Sequence, residues 1–207
     1  MRQTLYLIFN EGYHSVGEEL INRALCRQAI QLTRALCRGF PDPENFGLLS
    51  LMLFHDARAN ARIGESGELI TLDAQNRMLW KRGQIEEADV LLQKSLRRAE
   101  LGVYQLQAAI AGVHSLAETA EQTDWPQIVG LYRRLFKEQP GAVIGLNYAV
   151  ALMMAKQLLR HNGLGEREAA LSVAARRHRG RWPPVAPSVW SEFRFVASWL
   201  LWQSRMR

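Results

Sequence analysis

The stretch LINRALCRQAIQLTRALCRGFP (Leu20 to Pro41) decides the fold. Leu20, Ala24, Cys26, Ala29, Ile30, Thr33, Leu36 and Cys37 recur at three- and four-residue steps, which places them along one helix face. Gly39 and Pro41 then stop the helix, glycine by freeing the backbone and proline by removing a donor. Within the same stretch, Ala29, Thr33, Leu36 and Pro41 stand at offsets 0, 4, 7 and 12. Ile128, Tyr132, Leu135 and Pro140 repeat those offsets, and Ala88, Leu92 and Ser95 repeat the first three, with Glu100 in place of the proline. A small residue lets two helices approach, a bulky one fills the groove, and a breaker ends the unit. This is the loosely held pattern of the second helix in a tetratricopeptide-like hairpin, at irregular spacing instead of the regular period of about 34 residues.

The rest of the chain reads in the same way. LYLIFNEGYHS (Leu5 to Ser15) has an apolar run of five residues and suits a buried helix ending near Gly12. A second apolar helix is expected from about Asn45 to Ala61. IGESGELITL differs. Gly64 and Gly67 form turns, and Leu69, Ile70 and Leu72 suit a short extended piece near residues 64–72. Asp73 is expected to cap a helix over AQNRMLW, with Gly83 as the next divider and Gly102 the one after it. Asp124, followed by Pro126, starts a helix that Pro140 and Gly141 end. The expectation is an all-α fold of seven or eight helices in irregular antiparallel hairpins over residues 1–157. A basic tail containing Trp and Pro occupies residues 158–207.

Composition narrows the function classes. The chain has 207 residues, 48% hydrophobic and 22% charged, which is enough to bury a core. From Lys156 onward, ten Lys/Arg against three Asp/Glu leave +7, so the first 155 residues carry −1 of the net +6. Basic character therefore belongs to the tail, which also holds Trp182, Trp190, Trp199 and Trp202, and direct DNA binding by the chain is not expected. No run of about 18 apolar residues occurs, and the opening run falls short of the roughly 7–15 apolar residues of a secretory signal. Cys26 and Cys37, eleven residues apart, lie about three turns from each other on one face, out of disulfide reach, and read as core thiols. These features point to a cytoplasmic setting without a membrane partner.

Polar residues gather in a few places. HDARANAR (His55 to Arg62) puts His55 and Arg58 on one helix face and Asp56 on another. A histidine and arginines near a helix C-terminus suit its free carbonyls and negative dipole end. Asn10 and Glu11 close the first helix, and Asn76, Arg77 and Trp80 form a further structural cluster. YQLQAAIAGVH (Tyr104 to His114) aligns Tyr104, Gln107, Ala108, Ala111 and His114. Together with Gln105 these polar side chains are the candidates for a peptide groove. No histidine pair has helical zinc spacing, and neither P-loop nor nucleophile-elbow motif occurs, so no metal, cofactor or catalytic residue is expected. An enzyme would need Glu11, His55 and His114 in one pocket.

LYLIFNEGY, GLLSLMLFHDARANAR, GELITLDAQNRMLW, YQLQAAIAGVH, TDWPQIVGLYRRL and LNYAVA resemble, in order, the C-terminal helical extension of a subgroup of extracytoplasmic-function RNA polymerase sigma factors. The resemblance runs from about Leu5 to Val150. It implies a regulatory role in transcription initiation, with RNA polymerase or sigma domains as partners. In that family the promoter-binding domains precede the extension, whereas four residues stand before Leu5 here. The expectation is an isolated extension, a fragment or a split gene product. Past about Ala155 the family's acid-containing helices give way to a basic, aromatic stretch containing RRHRGRWPPVAP, which suggests a shifted reading frame. The alternatives are a divergent basic–aromatic tail that binds nucleic acid or a membrane surface, and a free-standing helical-repeat module that binds a peptide or protein.

Overall fold

The computed structural model describes residues 1–13, 22–97 and 101–161. The expected tail from 162 and His14 lie outside the described residues. Among those residues the chain is all-helical: α1 (Arg2–Tyr13), α2 (Arg23–Gly39), α3 (Pro43–Ala57), α4 (Arg82–Ser95), α5 (Val103–Leu116), α6 (Trp125–Glu138) and α7 (Ala142–His161). Two 3₁₀ turns, Ala59–Ala61 and Arg77–Leu79, interrupt the connection from α3 to α4. The chain divides into two compact units, Met1–Thr123 and Asp124–Arg207. The boundary expected near residue 157 falls inside α7.

In the first unit α3 is the central element. Leu48 through Phe54 are buried without a break, as are Asn45, Gly47 and Ala57. A helix apolar on every side has to be surrounded, and α3 packs against α1, α2, α4 and α5. Asp42 starts it by accepting from the Glu44 N–H, with Pro43 as its first residue. Phe54 and Leu48 are fully buried, joined by Phe9 of α1, Cys26 and Ala29 of α2, Ala88 and Leu92 of α4, and Leu106 and Ala108 of α5. The repeat positions Ala29, Thr33, Ala88, Leu92 and Ser95 all face this core. Polar ties fix the hairpins: Ser50 Oγ donates to the Ala88 carbonyl at 2.6 Å, and Arg34 grips Glu87 with both guanidinium nitrogens.

Two glycines permit backbone contact that no other residue would. A Cβ on Gly47 would lie 2.8 Å from the Gln105 backbone nitrogen, and one on Gly12 would lie 2.9 Å from the Asn22 carbonyl and the Cys26 nitrogen. Small residues thus set the approach of α3 to α5 and of α1 to α2.

The expected extended turn is present. Ile63 and Leu69 form an antiparallel bridge, the Ile70 N–H donates to the Arg62 carbonyl, and Gly67 takes φ +83° at the tip. Three local expectations fail. AQNRMLW is not a helix capped by Asp73. Its structure is the one-turn Arg77–Leu79, with Asn76 Oδ1 accepting from the Met78 N–H. Gly83 lies in the first turn of α4 instead of dividing elements. Ala24, expected on the buried face of α2, is exposed in its first turn, where Asn22 accepts from the Leu25 N–H; Leu20 lies outside the described residues.

In the second unit α6 begins at Asp124, whose Oδ1 accepts from the Gln127 N–H, with Pro126 in the first turn as expected. Ile128 and Leu135 are buried, and α6 packs on α7.

Gly47→Ala tests the close approach. It should cost about 1–3 kcal/mol, because the added methyl meets backbone that cannot yield as a side chain would. Urea unfolding of the variant reads the loss. A variant as stable as the parent would show that α3 and α5 do not touch there.

Candidate functional site

The polar residues singled out in the sequence collect at the two ends of the α1–α3–α5 layer. Arg2, at the start of α1, donates to Asp42 and Asn45 at the start of α3. Glu44, in the first turn of α3, accepts from the Tyr104 and Gln105 N–H groups at the start of α5 at 3.2 and 2.9 Å. Three N-termini therefore share one pole, where carboxylates answer free N–H groups and positive dipole ends.

The three C-termini share the other pole. The Tyr13 and His55 rings, at the ends of α1 and α3, lie 5.5 Å apart. Arg58 just beyond α3 is buried, donates through Nε to the Phe54 carbonyl at 3.3 Å and meets His55 Nδ1 at 2.9 Å. Arg62 donates to the Tyr13 carbonyl and lies over the Tyr13 ring at 4.0 Å. Arg77 donates to the carbonyls of His114 and Ala117 at the end of α5, at 2.9 and 2.8 Å, and covers the buried Trp80 ring at 4.4 Å. Three arginines thus supply donors to the end carbonyls of three helices.

Electrostatics reflect this geometry. Burial, with Arg62 and Arg77 nearby, lowers the Arg58 pKa. Burial first, then Arg58 and Arg77, lower the His114 pKa to about 4. Its ring is neutral at pH 7. Cys26 and Cys37 are pushed up to about 11, mainly by burial, and are free, buried thiols unsuited to nucleophilic work.

The remaining residues sort by position. Asp56 turns away from His55 and accepts from Lys81 Nζ at 3.0 Å and Gln84 Nε2 at 2.9 Å. Asn10 bonds Tyr6 on its own helix, and Glu11 is exposed. His55 and His114 both border Arg58.

The groove expectation needs correction at Gln105, which is 1% exposed. Its Oε1 accepts from the Gly102 N–H and its Nε2 donates to the Ser95 carbonyl, so it clamps the start of α5 to the end of α4. Tyr104 meets the Tyr6 ring edge-on at 5.7 Å, and Gln107 accepts from the Tyr6 hydroxyl at 3.5 Å. His114 is half-buried beside the arginines. These side chains serve packing between helices. Sequence reading missed Glu44 and Arg62 as partners, because their targets lie 60 and 49 residues away.

Among the described residues no group of three or more His, Cys, Asp or Glu is placed to hold a metal ion. A shallow cleft of about 420 Å³ lies beside the 63–69 turn, lined by Ile63, Glu65, Glu68, Ile70, Asn76 and Leu79 among others.

Comparison with known proteins adds two likenesses. Residues 1–96 match the profile of a family described as a family of unknown function (DUF6596). An uncharacterized protein of Rhizobium meliloti (strain 1021) is 46% identical over 150 residues, covering 72% of this chain and 36% of that protein. The chain thus spans about a third of the length of this curated relative. No solved structure matches.

His114 gives the site a pH signature. Its ordinary value of 6.5 falls to about 4 on folding, so the unfolded chain takes up the proton first. Stability is full above pH 6.5 and is lost as pH falls from 6.5 toward 4, by up to about 3 kcal/mol. Denaturant midpoints across that window check this, and His114→Gln should flatten the slope. An unchanged slope in the variant would assign the effect elsewhere.

Proposed function

We propose that this chain is the helical regulatory extension of a sigma factor of the extracytoplasmic-function type, acting through protein contacts to tune transcription initiation. The observation that carries the reading is the ordered resemblance from Leu5 to Val150, spread over six stretches that are separate in sequence. The relative's greater length is compatible with it, since an extension is one part of a longer polypeptide.

The surface supports a role in protein contacts. Leu69, Met78 and Leu79 are exposed around the α3–α4 connection, with Met78 88% exposed. On α7, Val143, Leu146, Val150 and Met153 leave an apolar stripe at three- and four-residue spacing. Apolar residues gathered in this way suit partner recognition better than solvent. No helix among the described residues is long and apolar enough to cross a membrane. The proposal assigns no catalysis, because the histidines and arginines of the polar clusters are engaged in holding helix ends.

Affinity capture from bacterial lysate, with the chain as bait, tests the proposal. Core RNA polymerase or a sigma domain should be recovered, and Met78→Glu with Leu79→Glu should reduce the yield severalfold. Recovery of an unrelated peptide or protein, with neither polymerase nor sigma domain, would favour a free-standing binding module instead.

A further inference from the structure

Between Ile63 and Asn76 the chain carries Glu65, Glu68 and Asp73 and neither lysine nor arginine. Within this acidic run lies the cleft of about 420 Å³, with Ile63, Ile70 and Leu79 as apolar lining and Glu65 and Glu68 as exposed carboxylates. The wall is held in shape by the Ile63–Leu69 bridge and by the Gly64 N–H, which donates to the Glu68 carbonyl at 2.9 Å. Glu68 Oε2 accepts from the Ser66 N–H at 3.1 Å, which fixes that carboxylate on the turn. The Thr71 hydroxyl donates to Asp73 and lowers its pKa, so this exposed group adds a further negative charge at pH 7. The cations that flank the run point their charge elsewhere. Arg62 donates to the Tyr13 carbonyl, Arg77 to those of His114 and Ala117, and Lys81 pairs with Asp56. Arg82 follows the buried Trp80 and is not part of the lining. Apolar side chains stand on the same segment, where Leu69 is 57% exposed and Leu79 49%.

We propose that this cleft docks a basic, amphipathic segment of a partner protein. Apolar side chains of the segment enter against Ile63, Ile70 and Leu79, and lysines or arginines beside them meet Glu65 and Glu68. Charge complementarity selects the occupant: exposed apolar surface favours an apolar partner, and the acidic surround requires that partner to be positive. The same carboxylates repel nucleic acid and anionic lipid surfaces. A cleft at the small end of the roughly 300–1,000 Å³ of ligand pockets suits side chains of one segment. The assignment deepens the protein-contact role proposed above, on which it rests for taking the partner to be a protein. A peptide titration does not involve polymerase, so failure of the cleft and failure of the transcription role are told apart.

The test is an NMR titration of the full, nitrogen-labelled chain with the acetylated, amidated peptide Lys-Lys-Leu-Phe-Lys-Lys. Backbone amides within residues 61–79 should shift saturably, and the affinity should fall as sodium chloride rises from about 0.05 to about 0.3 M. Glu65→Lys should weaken binding roughly tenfold or more, because it sets like charges against each other. If that variant does not fold, Leu79→Ser, which removes apolar lining, supplies the comparison and should weaken binding severalfold. The counterpart peptide Glu-Glu-Leu-Phe-Glu-Glu should give no saturable shift. The proposal is overturned if the lysine peptide gives no saturable shift or shifts amides elsewhere, if the glutamate peptide binds as well, or if the folded variant titrates like the parent. Sedimentation of the full chain checks for a second copy as occupant. Self-association that Glu65→Lys abolishes would place that copy in the cleft and overturn the assignment to a partner protein.

Discussion

The first unit depends on one constraint: α1, α3 and α5 run in the same direction. Antiparallel hairpins impose this, since every second helix returns to the same pole. Three helix N-termini then crowd one end and three C-termini the other, and dipole ends of like sign lie side by side. The structure answers with opposite charge at each pole. Asp42 and Glu44 accept from N–H groups at one end. Arg58, Arg62 and Arg77 donate to carbonyls at the other. The apolar belt of α3 supplies the driving force for packing. The charged poles set which ends may meet.

That arrangement gives a histidine, an aspartate and several arginines a structural use at the helix ends. His55 is held by Arg58, Asp56 is committed to α4 through Lys81 and Gln84, and His114 is kept neutral by its burial and its cationic surroundings. Titrating at about 4 beside two arginines, the His114 ring is uncharged at pH 7. The arginines of this pole hold the carbonyl ends of the helices.

Much of the fold was legible because its signals are local. The i, i+3 and i+4 spacing around Ala29, Ile30 and Thr33 reports a buried face directly. Asp124 with Pro126 and Gly39 with Pro41 act within one turn of where they stand. The contact between His55 and Arg58 could be foreseen from an i, i+3 step. Longer-range features could not. Glu44 caps a helix 60 residues later, and nothing in its neighbourhood marks it as a partner. Gln105 was read as a groove residue because a polar side chain on an apolar helix looks exposed. In fact it bridges two helix ends whose meeting depends on the tertiary fold. Asp73 resembled a cap, but the chain after it makes only a single 3₁₀ turn, which Asn76 starts.

The central claim is that arginines at one pole hold the helices by their C-terminal carbonyls. Urea unfolding of Arg77→Met, set beside the exposed-site control Arg27→Met, tests it most directly. Arg77 makes two charge-assisted bonds to the end of α5, so its loss should cost about 2–4 kcal/mol while the control changes little. Equal stability of the two variants would contradict the account.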